Sequence, residues 1–187
     1  MDAFFISAGL VALAEIGDKT MLLAIVLAAR FQKPAPILLG IFGATIANHL
    51  MASAVGAFAG DVLKGPWMRW VLGVAFLGFA AWTLIPDKFE EDKDAPKASS
   101  RGVFLTTLVA FFLVEMGDKT QVATIALAAR FHQVMLVAAG TTVGMMLTNT
   151  PAVLIGQAAA GKLPLKAIRY TAAAAFAALG VWVLVTG

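Results

Sequence analysis

The chain has 187 residues, of which 60% are hydrophobic and 13% are charged, and it contains no cysteine. A water-soluble domain carries about 25% charged residues, so this composition excludes a soluble enzyme and predicts an integral membrane protein. The net charge of +3 is a weak argument for a nucleic-acid partner. The lack of cysteine excludes a disulfide framework and a thiolate metal site.

Six apolar stretches follow one another along the chain, and each is long enough for a transmembrane helix of about 20 residues. They cover residues 4–29, 35–60, 67–85, 103–129, 134–160 and 167–186. Proline or glycine marks several of the connections between them. One extended polar stretch, residues 86–102, has the composition of a hydrated loop. We therefore expect an all-α membrane protein with six transmembrane helices.

The sequence repeats itself with an offset of 100 residues. Between Glu15 and Phe31, 11 of the 17 positions are identical to their partners one hundred residues later. The second and fifth stretches correspond with one further residue of offset, so that Asn48 matches Asn149. Three helices per half is an odd number, so the second half crosses the membrane in the opposite sense. This predicts two inverted three-helix repeats, as in many secondary transporters, with the substrate site near the membrane midplane.

The repeat divides the chain into a first three-helix repeat over residues 1–85, a polar linker over 86–102 and a second three-helix repeat over 103–187. Together the repeats are expected to form one transporter domain. Nine basic residues of the loops lie on the side of the linker and three lie on the other side. The positive-inside rule then places the linker in the cytoplasm and both termini outside.

Six ionisable residues lie in the middle of the first and fourth predicted spans. They are Glu15, Asp18, Lys19, Glu115, Asp118 and Lys119. Unpaired, they would cost about 15–20 kcal/mol at the membrane centre, more than the stability of a typical domain. On a regular helix the three of each span share one face, so we expect them to face a polar interior and to find partners there. Gly17 and Gly117 would permit close helix contact or a local break.

Four carboxylates, with the Thr20 and Thr120 hydroxyls beside them, make an oxygen-rich cluster. Its formal charge is −2 once the two lysines are counted. Hard divalent cations such as Mn²⁺, Ca²⁺ and Mg²⁺ prefer such ligands, whereas Zn²⁺ and Cu⁺ would call for cysteine, histidine or methionine. The same carboxylates can exchange metal for protons. The cluster therefore predicts a divalent-cation site, and a merely structural ion pair is disfavoured because the motif occurs twice at corresponding depths.

Three further polar residues lie in the predicted membrane region. Asn48 and Asn149 are candidates for orienting the carboxylates or for binding the metal, although an interhelical hydrogen bond would explain them equally well. His49 could relay protons. It has no counterpart in the second repeat, where Thr150 stands, so a core histidine is the favoured interpretation.

The segments E-I-G-D-K-T at residues 15–20 and E-M-G-D-K-T at residues 115–120 resemble the paired E-x-G-D-[KR]-[TS] signatures of the GDT family of Ca²⁺/Mn²⁺–proton exchangers. The short chain resembles the bacterial manganese-exporter branch of that family. The resemblance implies that the motif acids bind the cation with further oxygen ligands beside them. The acids are Glu15, Asp18, Glu115 and Asp118, and the further ligands are Thr20, Thr120 and Gln121. From their positions, Lys19, Lys119, Asn48 and Asn149 are expected to support this site. Gln121 follows the second motif but Met21 follows the first, so the half-sites are expected to contribute unequally.

The sequence therefore predicts a secondary transporter, not an enzyme, that exports Mn²⁺ or Ca²⁺ in exchange for protons across a bacterial inner membrane, with both termini in the periplasm. No cofactor is expected, since the metal ion and protons are substrates. The lipid bilayer is a partner, nucleic acid is not, and a homodimer is left open.

Three alternatives were weighed against this prediction. An exporter of a small organic solute such as an amino acid is disfavoured by the scarcity of hydrogen-bond donors around the acids. A cation channel is disfavoured because four carboxylates in a dry site would bind too tightly for fast conduction. An intramembrane hydrolase is disfavoured by the motif lysines and by the lack of a recognisable nucleophile.

Overall fold

The computed structural model describes residues 1–62, 65, 67–85, 100–155 and 165–186, and these ranges contain helices but no strand. The helices are α1 (Asp2–Glu15), α2 (Lys19–Phe31), α3 (Pro34–Val62), α4 (Met68–Thr83), α5 (Ser100–Glu115), α6 (Lys119–Phe131), α7 (Val134–Ile155) and α8 (Leu165–Thr186). The predicted all-α class is confirmed for this part of the chain. Most of the predicted linker, residues 86–99, lies outside the described residues.

The first and fourth predicted spans are each broken in the middle. α1 ends and α2 begins on either side of Gly17, which has φ = 80°, and Gly117 separates α5 from α6 with φ = 79°. Glycine adopts this left-handed region freely, whereas an L side chain does so at a cost. The expectation of one continuous helix through each motif is therefore wrong, and the alternative of a local break at the glycine is confirmed. At the second break the helices meet at a bend of 68°.

Helix length and hydropathy alone identify few membrane spans. Among the described helices, α3 with its 29 residues is long and apolar enough to cross a membrane by itself. α5 and α6 meet the same criterion as a bent pair, while α4 and the Tyr170–Thr186 part of α8 are apolar but shorter. The six-span arrangement and the inverted orientation of the repeats thus stay predictions.

The largest helix–helix contacts join one half of the chain to the other. α1 lies along α7, its counterpart α5 lies along α3, and α4 lies along α8. Within one half, α2 touches α3 and α6 touches α7, and both contacts are small beside those between the halves. The core of the protein is therefore built mainly between the halves.

Glycines let these helices approach until their backbones touch. A Cβ atom added to Gly140 or Gly144 of α7 would overlap the carbonyl oxygens of Phe4 and Ala8 in α1. A Cβ at Gly56 of α3 would likewise overlap the backbone of α6. Small residues at such positions allow the close van der Waals packing on which helix association in membranes depends.

Two apolar clusters flank this arrangement, and both draw on both halves. The first includes Phe76 and Phe176, which are buried between α4 and α8. The second includes Ile41 of α3 and Phe111 of α5. Because each cluster joins helices from both halves, the paired breaks are held in a fixed relation to one another.

Candidate cation site

Each glycine break puts an aspartate at the start of the next helix. Asp18 is the N-cap of α2, and its Oδ1 accepts a hydrogen bond of 2.7 Å from the backbone N–H of Lys19. Asp118 caps α6 in the same way, also at 2.7 Å from the Lys119 N–H. Aspartate is favoured here because it satisfies a free backbone donor and faces the positive end of the helix dipole. Both carboxylates are thereby fixed where the helix is interrupted, the arrangement that many transporters use to bind ions.

The two glutamates end the helices before the breaks and are almost completely buried, with Glu15 0% and Glu115 1% exposed. The Thr20 hydroxyl donates a hydrogen bond to Glu15 Oε2, and the Thr120 hydroxyl donates to Glu115 Oε1 at 2.9 Å. Among the described residues the other oxygens, Glu15 Oε1 and Glu115 Oε2, have no hydrogen-bond partner. A buried carboxylate oxygen without a donor is costly, so a bound cation would stabilise both.

The motif lysines connect the two breaks. Lys19 Nζ lies 3.1 Å from Asp118 Oδ1, and Lys119 Nζ lies 3.8 Å from Asp18 Oδ1. Each lysine thus pairs with the aspartate of the other motif. The two motifs therefore form a single charged cluster. This agrees with the expectation that the six ionisable residues find partners inside the protein.

Three of the four predicted acids lie close enough to share one ion. Glu15, Asp18 and Asp118 each offer an oxygen, and these oxygens lie within 4.8 Å of one another. Oxygens on opposite sides of a Mg²⁺ or Ca²⁺ ion lie about 4–5 Å apart, because each binds at about 2.0–2.6 Å. One divalent cation can therefore touch all three acids, which come from both halves of the chain.

The fourth acid has a different neighbour. Glu115 Oε1 is 3.3 Å from Nε2 of His49, a fully buried residue of α3. The sequence interpretation of His49 as a buried histidine agrees with its burial but misses its contact with a motif acid. The signal that could have found it is its position next to Asn48, on the helix predicted to support the site. The comparison of the repeats did not indicate a role for His49 at the site, because Thr150 occupies the corresponding position of the second repeat.

The supporting residues hold the breaks together. Asn48 Nδ2 donates to the Phe112 carbonyl oxygen at 3.1 Å, so it makes the interhelical hydrogen bond foreseen as its alternative role. Gln121 Oε1 accepts from the Gly117 N–H at 2.6 Å, and its Nε2 lies 3.5 Å from Asn48 Oδ1. Gln121 therefore braces the second break, and its predicted part in binding the cation stays a prediction.

Met21, the counterpart of Gln121, and Asn149, the counterpart of Asn48, make different contacts from those two residues. At the first break the Met21 sulfur accepts from the Gly17 N–H at 3.3 Å, where the second break uses an amide oxygen. Asn149 Nδ2 donates to the Met145 carbonyl oxygen of its own helix at 3.0 Å. Its Oδ1 has no hydrogen-bond partner in the described part of the chain. The expected inequality of the half-sites is thus visible in their bracing.

Buried carboxylates at paired helix breaks, inside an apolar helical protein, are typical of a secondary cation transporter. The family model described as "Divalent cation/proton antiporter GDT1" matches residues 3–91 and 103–187. The chain belongs to this family of membrane transporters, as the two motifs suggest. The family is one of transporters and not of enzymes, in agreement with the prediction that the protein is not an enzyme.

Several curated proteins are similar to the chain over most of its length. It is 48% identical to a Vibrio cholerae protein named "Putative manganese exporter", over 94% of this chain and 87% of that protein. It is 26% identical to "GDT1-like protein 5" of Arabidopsis thaliana, over 100% of this chain and 96% of that protein. It is 28% identical to "GDT1-like protein sll0615" of Synechocystis, over 90% and 89%. No solved structure matches the chain.

Proposed function

We propose that this protein exports Mn²⁺ from a bacterial cytoplasm in exchange for protons, through one site that both motifs build. The observation that carries this proposal is the group formed by Glu15, Asp18 and Asp118, three buried acids from both halves whose oxygens lie within 4.8 Å. The choice of Mn²⁺ is supported by the oxygen-only character of this group and by the name of the Vibrio cholerae relative.

The remaining ligands come from residues beside this group. Mn²⁺ commonly takes six oxygen ligands, and the three acids supply half of them. Glu115 has a buried oxygen that no described residue satisfies, and the Thr20 and Thr120 hydroxyls lie against the glutamates. These groups, together with water carried by the ion, complete its coordination.

The eight helices correspond to six membrane spans in this proposal. α1 with α2, and α5 with α6, are each one broken span, so each half contributes three spans and the halves are oriented oppositely. The support is the occurrence of the break at the same place in both halves, together with the matched packing of α1 on α7 and of α5 on α3. The linker then lies in the cytoplasm and both termini lie in the periplasm.

Transport follows by alternating access. The deprotonated acids take the ion from the cytoplasm, and protons from the periplasm then displace it on the other side. Because the acids are fixed at helix ends, small movements of the adjoining helices are enough to change the side from which they are reached.

The direct test is ion flux through the purified protein in liposomes under an imposed pH gradient. We expect Mn²⁺ to move in the direction opposite to the proton flow and Zn²⁺ not to be transported. Ca²⁺ transport is measured in parallel. Liposomes that hold the Glu15→Gln variant serve as the control. Mn²⁺ flux that ignores the pH gradient would favour a channel, and amino-acid flux without Mn²⁺ flux would favour the solute exporter. Either result would remove the proposal.

A further inference from the structure

The motif lysines and a bound ion would contact the same two carboxylates. Asp118 belongs to the three-acid group, and its Oδ1 lies 3.1 Å from Lys19 Nζ. Asp18 belongs to the same group, and its Oδ1 lies 3.8 Å from Lys119 Nζ. Both aspartates are at most 3% exposed. An ion that binds them fully must therefore displace an ammonium group or share a crowded carboxylate with it.

The crossed pairing makes this competition intrinsic to the site. Each lysine directly follows one aspartate in sequence but contacts the other, so each ammonium group reaches from one break to the opposite break. Removing the partner of a buried charge is strongly destabilising. If the ion left four buried carboxylates without a replacement, their uncompensated negative charge would destabilise the protein. The two lysine ammonium groups lie close enough to neutralise part of that charge as soon as the ion leaves.

The two lysines differ in how tightly they are enclosed by the protein. The Lys19 side chain is 27% exposed, and that of Lys119 is 9% exposed. Lys19 therefore has room to move away from Asp118, whereas Lys119 is enclosed. The exchange between lysine and ion is easier at Asp118 than at Asp18.

We propose that Lys19 and Lys119 are tethered competitors of the transported cation, which occupy Asp118 and Asp18 when the ion leaves and move aside, Lys19 first, when it binds. This inference rests on the proposed function. It assigns the lysines a role in releasing the ion, in addition to lowering the cost of burying the acids.

The proposal predicts an effect on affinity opposite to that of a structural role. Lys19→Met in the full chain should bind Mn²⁺ at least tenfold more tightly than the natural protein, while its transport slows because release is impaired. Lys19→Arg should restore both values, since the guanidinium still competes. Lys166→Met, which removes an exposed lysine outside the site, is the matched control and should change neither. If a folded Lys19→Met protein binds Mn²⁺ equally well or more weakly, the proposal is wrong.

A second measurement separates direct competition from a general change in site charge, and it uses the unaltered chain. An amine-reactive label is applied with and without saturating Mn²⁺, and mass spectrometry gives the rate at each lysine. Lys19 should react several-fold faster with Mn²⁺ present, while the rate at Lys166 stays the same. An unchanged rate at Lys19 would overturn the proposal even if the variants did not fold. If the natural protein bound no Mn²⁺ at all, the proposed function itself would fail instead.

Discussion

The aspartate and the glutamate of each motif make different contacts, although only three positions separate them in the sequence. The aspartates cap helices and meet the lysines of the opposite motif. The glutamates lie before the breaks, are almost completely buried and are fixed by threonine hydroxyls. Because neither glutamate caps a helix or contacts a motif lysine in these contacts, removal of a single charge there tests the site without disturbing the caps.

Glu15→Gln and Glu115→Gln should each reduce Mn²⁺ transport close to background. Glutamine keeps the shape but removes a negative charge from a dry site, and a loss of about 3 kcal/mol of binding is more than a hundredfold in affinity. The double variant should be scarcely worse than either single one, as expected for residues that act as a unit. Transport at matched expression in liposomes measures this.

Asp2→Asn is the matched control, since it removes an exposed carboxylate and should leave transport unchanged. If each single glutamine variant kept about half of the activity and only the double variant lost it, the motifs would be two independent sites. The single shared site would then have to be given up.

The acids of the site could be predicted from the sequence, but their partners could not. Six ionisable residues in apolar stretches must pair, and the repeat shows that two motifs are involved. Spacing, however, suggests partners three or four positions away, and that geometry is lost when Gly17 interrupts the helix. The contact between Lys19 and Asp118 joins residues that only the packing of the two halves brings together. The contact of His49 with Glu115 could not be predicted from the repeat, because His49 has no counterpart in the second half.

At the scale of the helix, the glycine break is the element that creates the site. A three-residue interruption between two apolar helices leaves the hydropathy pattern almost unchanged, so periodicity alone does not reveal it. The positive φ of both glycines, at equivalent positions, is what shows that the break is built in. It turns the carboxylates towards helix ends, which a continuous helix cannot do.

Gly117→Ala should destabilise the protein and reduce transport. An added Cβ at Gly117 would meet no heavy atom within 4 Å, so the cost is the backbone strain of about 1–2 kcal/mol for an L residue with positive φ. Thermal unfolding in detergent should detect that loss. Mn²⁺ transport should fall with it because Asp118 is displaced.

Gly78→Ala is the control, because Gly78 lies inside α4 and also has no neighbouring atom within 4 Å of an added Cβ. There alanine should stabilise the helix, by up to about 1 kcal/mol. Gly117→Asn should be milder than Gly117→Ala, since asparagine tolerates the left-handed region. If Gly117→Ala were as harmless as Gly78→Ala, the break would not be needed for transport.

For the whole molecule, the helical class was predictable from composition, because so apolar a chain must satisfy its backbone within helices when it enters a bilayer. The division into two related halves followed from the repeat. The packing of helices from one half on helices of the other, with α1 on α7 and α5 on α3, was not predictable. It depends on glycine contacts such as that of Gly144 with the backbone of α1, which no local pattern distinguishes from glycine in an ordinary helix.

The orientation can be tested with single cysteines, because the natural chain has none. In the proposed orientation, with the C-terminus in the periplasm, a membrane-impermeant maleimide should label Thr186→Cys in intact cells. It should label Ser100→Cys, at the end of the linker, only after the inner membrane is opened. Labelling after lysis controls for expression and reactivity. Labelling of both sites from the same side would contradict an odd number of spans per half, and the inverted arrangement with it.

The packing of each half against the other also bears on how such a chain came into being. Since the large helix interfaces join one half to the other, a half-length ancestor would have had little to hold its own helices together. Two antiparallel copies could have supplied those interfaces to each other. In such a dimer of identical copies every substitution appears twice. His49 opposite Thr150, or Met21 opposite Gln121, could therefore arise only after gene duplication allowed the two copies to differ. The inequality of the two half-sites is then a later acquisition than the site itself.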